Sequence, residues 1–564
     1  MRRRHSLFLA AGAALLMCVT GCSGGDGQAA KSTAKPLDST ANDMNAHARA
    51  ALKEGGTLQW AMGEAIPNFN FYEIDGTLTD TFNVSTALLP RPFHYSAAAV
   101  PSVNNDYFTD ISASTSTGDA PLTVTYTINP KASWSDGKAI TWQDFKSLWQ
   151  ASNGKNTAYK VSQTTGYDRI SGVAQGKDER QAVVTFAKPF ADWKGLFDPL
   201  VPSSLTATPT AFNSGWADHP TVTAGPFVWG GADKTAQTFT LARNPKWWGD
   251  PAKLDKIVFR VYDDYSAAVQ AFRTGQVDYA ELPPDTQIYQ AAKKTSGVTV
   301  RTAGSAVYRQ FTLNKRDPLL SDRRVRQAVV LGIDRVRMAT LLVGKIGGQS
   351  VALQNHIFMP NQSAYEKTCG TLCSYAPAKA QKLLQEAGWT KGSDGYFAKN
   401  GKRLELTITI QSGRVISQNE AEIAQATLKE AGIKLDIKTV PVDDFFGKYI
   451  TVGNFQLTTF TWNGVALPVG GSLSIYTLDP KNVQQNYGAG GSTEINALLG
   501  KAVAADDTAT ENKLANEADR QIWADASWLP LYQLPQDNAV RSTIANLGAY
   551  GFADIRFQDI GYVK

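Results

Sequence analysis

Apolar residues fall at two spacings along the chain. In the stretch LTVTYTI, Leu122, Val124, Tyr126 and Ile128 come at every second position, the period of a strand with one buried face. Shorter runs at 57–60, 239–243, 257–261, 404–410, 433–440 and 528–532 predict further strands. Elsewhere the period lengthens to that of a helix. After the turn at Asp136-Gly137, Thr141 and Asp144 stand at capping-box spacing, and Phe145, Leu148 and Trp149 make one apolar stripe. Tyr265 opens a helix closed by Gly275. Pro377 opens another closed by Gly388, with Ala380, Leu383, Leu384 and Ala387 facing inward. The ending LQEAG (384–388) is echoed by LKEAG (428–432), each followed by a strand-like run. Two such units describe an α/β lobe; a solenoid would need more repeats.

The stretch 313–337 (LNKRDPLLSDRRVRQAVVLGIDRVR) is the most informative. Ser321 or Asp322 can cap a helix, because a short side-chain oxygen accepts the free N–H groups of its first turn. Val325, Ala328, Val329 and Ile333 share one face. This predicts an amphipathic helix with Arg323, Arg324, Arg326, Arg335 and Arg337 on its solvent side.

With 564 residues, of which 43% are hydrophobic and 19% charged, the chain has the make-up of a folded protein too long for one core. Arg2, Arg3, Arg4 and His5 precede an apolar run, 7–19, too short to span a bilayer and typical of an export signal. Residues 23–51 are small and polar and read as a tether. The leader carries three arginines and no acid, so its loss takes the net charge from +5 to +2 and leaves no electrostatic case for nucleic acid. Export permits a disulfide, for which Cys369 and Cys373 are the candidates. A metal site using His356 with these two cysteines lacks a fourth ligand.

Catalytic signatures are missing. His94, His219 and His356 form no His-Glu-x-x-His, no Gly-Lys pair is followed by Ser or Thr, and the single G-x-S-x-G (21–25) falls between leader and tether. No catalytic residue, metal or cofactor is therefore assigned.

Four groups of motifs follow one another along the chain: Trp134-Ser135-Asp136-Gly137; Ala224-Gly225-Pro226-Phe227 with Asn244-Pro245-Lys246-Trp247-Trp248-Gly249; Leu313-Asn314, Pro318-Leu319, Asp322, Val325-Arg326-Gln327-Ala328 and Ile333-Asp334-Arg335; and Pro530-Leu531-Tyr532. In kind and order they resemble those of the extracellular solute-binding proteins of family 5, the peptide-type binding components of ABC importers. Val19-Thr20-Gly21-Cys22 resembles a lipobox, which implies a lipid (palmitate) on Cys22. The resemblance implies an α/β, periplasmic-binding-protein-like type II (cluster C) fold: two hinged lobes with an extra domain inserted in the first. The expected division is 1–21 leader, 22–54 tether, 55–89 and 216–306 first lobe, 90–215 extra domain, 307–528 second lobe and 529–564 return to the first. It further implies an exported monomer, lipid-anchored to the outer face of the cytoplasmic membrane, that binds a peptide or peptide-like solute and meets ABC permease subunits. Ligand contacts by resemblance are Phe71 and Tyr72 after the first strand, and Trp462 and Asn463. Peptide-binding relatives hold the ligand amine with an Asp shortly after this Trp; here Val465 takes that position, so free-amine capture is not expected. A surface-anchored hydrolase, and a sensor or structural lipoprotein on the same fold, are the alternatives.

Overall fold

The computed structural model describes residues 42–564 apart from 64, 115–120, 263–264, 349–350, 481–483 and 506. The expected leader, Cys22 and the first part of the tether lie outside the described residues. Among those described, no helix is long and apolar enough to cross a membrane.

The largest sheet among the described residues has ten strands, here β1 (Thr57–Met62), β2 (Phe227–Asp233), β3 (Thr238–Arg243), β4 (Lys256–Val261), β5 (Tyr279–Leu282), β6 (Val298–Leu313), β7 (Glu405–Gln411), β8 (Lys434–Val440), β9 (Leu457–Asn463) and β10 (Trp528–Arg541). Their spatial order is β8-β7-β9-β6-β10-β5-β1-β4-β3-β2. Two long antiparallel strands, β6 and β10, therefore join two α/β halves. The ends Val298–Gly304 and Pro535–Arg541 belong with β5 and β1, whereas Val307–Leu313 pairs with β9 on the far side. Between Gly304 and Tyr308 the register against β10 slips, so residues 305–307 bulge out of the ladder where one lobe passes into the other.

A second sheet, with strands Phe108–Ala113, Thr123–Ile128, Gln181–Phe186 and Ile170–Gln175 in that spatial order, is inserted between β1 and β2. The helix Trp142–Ser152 covers it, with the Thr141/Asp144 capping box formed and Phe145, Leu148 and Trp149 buried. This domain shares one continuous core with the first lobe. The loop 68–77 helps fasten the two. Asn70 donates to the Phe212 carbonyl (2.8 Å) and Asn68 to that of Asn213 (3.0 Å).

Two expectations are corrected here. Residues 43–54 lie on the body and not in a tether: Asp43 bridges Ala549, Leu52 bridges Val563, and Leu52 is buried. The 313–337 stretch makes two helices, Arg323–Leu331 and Arg335–Leu342, capped by Asp322 and Asp334, and two of its arginines are buried. Arg326 donates to the carbonyls of Asp525 (2.9 Å) and Leu320 (2.9 Å). Arg335 donates to those of Pro530 (2.8 Å) and Cys373 (2.9 Å) and lies 5.0 Å from the ring centre of Trp523. Each guanidinium has enough donors to serve several free carbonyls at once, so Arg335 ties loop ends to β10 from inside, and Arg326 ties the turn before its own helix to the end of the helix Thr508–Asp525.

The Ala224–Phe227 motif is a close backbone crossing. A Cβ on Gly225 would stand 2.1 Å from the Ala87 carbonyl oxygen, and the Gly225 carbonyl accepts from Asn244 Nδ2 at 2.8 Å. Trp247 and Trp248 pack beside it against Tyr107, at 5.4 and 5.6 Å between ring centres. Backbone cannot yield as a side-chain end can. Gly225→Ala is therefore expected to cost about 3 kcal/mol, read as a lowered urea midpoint with an unchanged slope.

Asp537 sits on β10 beyond the bulge. Its carboxyl accepts from Thr302 at 2.5 Å, and burial pushes it up to about 7, against the lowering by that hydrogen bond. A carboxyl raised on folding contributes stability that is full below about pH 4 and is lost as pH rises to about 7. Asp537→Asn is expected to flatten that decline. Its gain over wild type at pH 8 should exceed that at pH 4 by on the order of 2–4 kcal/mol, measured by denaturant melts at the two pH values.

Candidate functional site

Alternation along β6 splits its residues between two environments. Phe311 and Leu313 enter the core of the second lobe, while Tyr308, Gln310 and Thr312 face the other way, beside Trp462, Phe460 and Thr458 on β9. That second face carries an aromatic cluster. Phe460 and Trp462 lie 5.0 Å apart, Trp462 stacks on Tyr308 (6.5 Å, 18°), and Tyr487 and Phe446 close on Phe460 at 6.1 and 5.2 Å. Ala99 and Phe552, from the first-lobe side, belong to the same cluster. Rings from one lobe thus meet residues of the other next to the bulge.

Polar groups in this region are unevenly satisfied. The indole Nε1 of Trp462 is buried and has no hydrogen-bond partner among the described residues, and the same holds for Gln310 Nε2, Thr312 Oγ1 and Trp528 Nε1. All four stand on the same sheet face, since Thr312 pairs with Trp528 across β6 and β10. A buried donor without an acceptor costs about 1–3 kcal/mol, so this face carries an unmet demand for acceptors. Gln310 is held by its other end, where Oε1 accepts from the Tyr476 hydroxyl at 3.4 Å. Gln362 fixes the loop after β9 by donating to the Ala466 carbonyl at 3.0 Å.

The residues expected from the sequence do not converge on this face. Trp462 is in it. Asn463, the last residue of β9, falls on the opposite face by alternation and is exposed; Thr461, two residues before, accepts from Arg309 on that side (2.9 Å). Val465 is 55% exposed. Tyr72 is a packing residue, contrary to expectation: its hydroxyl donates to the Pro199 carbonyl (2.7 Å) and accepts from Tyr167 (3.3 Å), joining the first lobe to the extra domain. Phe71 is half-buried against Phe82, 5.2 Å between centres. Cys369 and Cys373 are joined in a disulfide. His356 is held by Asp519 (2.8 Å), and among the described residues no cluster of His, Cys, Asp and Glu could hold a metal.

Tyr308, Gln310, Phe460 and Tyr487 were not singled out from the sequence. The signal was present in 307–313, whose period of two separates an inward Phe311/Leu313 row from an outward Tyr308/Gln310 row. An open groove of 510 Å³, lined by Asn314, Arg316, Lys438 and Gln456 among others, lies at the other end of β6, six residues along from Tyr308 and about 20 Å away.

Two α/β lobes joined by shared strands, with a buried aromatic cluster at the junction, make up the type II periplasmic-binding-protein fold seen in solved solute-binding proteins. The chain belongs to the bacterial extracellular solute-binding proteins, family 5, whose model (the family 5 Middle domain) matches residues 109–484. It is 38% identical over 558 residues to the oligopeptide-binding protein OppA of Mycobacterium bovis and of Mycobacterium tuberculosis, covering 97% of this chain and 92% of theirs. Among solved structures it resembles a periplasmic EDTA-binding protein, EppA (TM-score 0.82, 25% identity, 94% of this chain and 99% of that one). It also shares the fold of the oligopeptide-binding protein AppA of Bacillus subtilis in complex with a nonapeptide (TM-score 0.72, 19% identity, 91% and 100%).

Proposed function

We propose that this protein is the substrate-binding lipoprotein of an ABC importer, held by a lipid on Cys22 at the outer face of the cytoplasmic membrane. It captures a peptide or peptide-like solute by closing its lobes and hands it unchanged to permease subunits. The observation that carries the reading is the unpartnered Trp462 indole N–H in an aromatic cluster to which both lobes contribute. A stacking wall with a few free donors suits a main chain rich in carbonyls and tolerates varied side chains. The oligopeptide-binding relatives support the same solute class. Asn463, Val465 and the half-buried Phe71 would lie toward the rim, and with Val465 in place of an acid the solute is one whose amine is blocked or absent.

Closure must come from differential binding. Moving a 1:99 open population to 99:1 closed takes about 5.5 kcal/mol more affinity for the closed form. The test is a thermal-shift panel of linear, N-acetylated and cyclic peptides with metal–EDTA included, beside native mass spectrometry of protein from its own host. A saturable rise in Tm following RT ln(1 + [L]/Kd), with the ligand recovered intact, is expected for blocked or cyclic peptides. Turnover of any panel member, or a panel and host preparation that yield no bound solute, would overturn the assignment.

A further inference from the structure

Away from the cleft, the extra domain touches the second lobe directly. The turn Ala191–Gly195 lies against the start of the helix Val469–Tyr476 and the segment before the helix Thr508–Asp525. Ala191 N donates to the Val503 carbonyl (2.9 Å), and Asp192 Oδ2 accepts from Gly470 N (2.5 Å). A Cβ on Gly470 would stand 3.0 Å from that carboxylate and 3.1 Å from the Phe190 ring, so glycine admits the approach. Facing Asp192 from the second lobe is Glu511, and each carboxyl acts on the acidity of the other. Asp192 is 6% exposed and Glu511 3%.

Two like charges buried side by side repel each other and lack water to solvate them, so one carboxyl must carry a proton. Little else compensates the pair. Lys194, on the same turn, attracts the Glu511 charge but stands over Trp193, 5.6 Å from the ring centre. The 469–476 helix brings no Asp, Glu, Lys, Arg or His, its Tyr476 hydroxyl engages the His356 carbonyl, and Asp507 and Lys501 on the adjoining helix ends are exposed. Glu511 Oε1 has no partner among the described residues.

We infer that Asp192 and Glu511 form a proton-dependent latch between the extra domain and the second lobe, so that closing the protein takes up a proton and opening releases it. The inference rests on the reading that the lobes open and close about β6 and β10. When they part, both carboxyls meet water and return toward ordinary acidity. In the closed state burial, with the neighbouring Asp192 charge, pushes Glu511 up to about 9, and burial raises Asp192 too. A group raised on closing favours the closed state at low pH, and that preference is lost as pH rises through its closed-state value. With one proton taken up, the closed-to-open ratio falls about tenfold per pH unit between roughly pH 5 and 9 and levels off above.

The test needs no solute. Donor and acceptor dyes are placed through unnatural amino acids at the exposed positions 177 and 513, on the extra domain and the second lobe, and energy transfer is followed from pH 5.5 to 9.5. Wild type is expected to shift to the long-distance population as pH rises. Glu511→Gln, whose amide donates permanently to Asp192, is expected to hold one population throughout, as is Asp192→Asn, whose oxygen still accepts from Gly470. A pH-invariant distance in wild type, or either variant following the wild-type profile, would overturn the latch. Either result leaves solute capture standing, and a failure to find a solute leaves this readout intact.

Discussion

Replacing Glu420 with alanine is expected to lower stability by about 3–5 kcal/mol, because it strands a buried guanidinium. Arg309 and Glu420 are 3% and 0% exposed at their side chains and meet in a two-pronged pair, Nε to Oε1 at 2.9 Å and Nη2 to Oε2 at 2.6 Å. Each carboxylate oxygen accepts a second hydrogen bond as well. Thr459 donates to Oε2 (2.8 Å), the Tyr532 hydroxyl donates to Oε1, and Arg309 also donates to Ser417 (2.9 Å) and Thr461 (2.9 Å). The cluster thus pins the helix Val415–Glu430 to β6, β9 and β10, on the second-lobe side of the bulge. Burying the pair costs desolvation that its attraction roughly offsets, so its removal as a unit should be mild. Arg309→Met with Glu420→Leu is expected to recover most of the loss suffered by Glu420→Ala alone. The measurement is the urea midpoint of the two singles and the double. A Glu420→Ala protein within about 1 kcal/mol of wild type would show that water reaches the cluster and that the pair does not anchor the helix.

This network marks where reading from sequence stops. Local periodicity located the helix at Thr141 with its cap, because capping and stripe formation involve neighbours in the chain. The same logic placed the strands that became β7 and β8, a parallel pair joined by the 415–430 helix. It put Arg326 and Arg335 in solvent, since a helical wheel counts charge but cannot see the carbonyls of Asp525, Pro530 and Cys373, up to about two hundred residues away, that accept from them. Tyr72 misled for a similar reason. A loop aromatic after the first strand looks available until Pro199 and Tyr167 arrive from the extra domain. The family resemblance points to Trp462, whereas its companions on β6 require knowing that one strand serves both the second-lobe core and the aromatic cluster, which only sheet order reveals. The latch carboxyls, 192 and 511, have no sequence signature, because nothing local brings together two acids so far apart in the chain.

Trp462 is where stability and binding should separate. Its ring is packed by Phe460, Tyr308 and Tyr487, so Trp462→Ala removes both a buried body and a donor, and its effect on folding obscures its effect on binding. Trp462→Phe keeps most of the body and deletes the N–H. Because that N–H has no partner among the described residues, the unliganded variant is expected to be as stable as wild type or slightly more so. If the indole serves the solute, affinity should fall by about 1–1.5 kcal/mol, roughly tenfold, and the thermal shift produced by whichever peptide stabilises wild type should shrink accordingly. Trp462→Ala should lose about 2 kcal/mol or more of binding, as expected for a central aromatic wall, on top of its cost to the fold. The pattern to look for is a Phe variant that is intact yet binds weakly. A Phe variant binding as tightly as wild type would mean that the orphaned indole faces a trapped water and that the solute rests elsewhere on the cleft, against Tyr308 and Gln310 on β6.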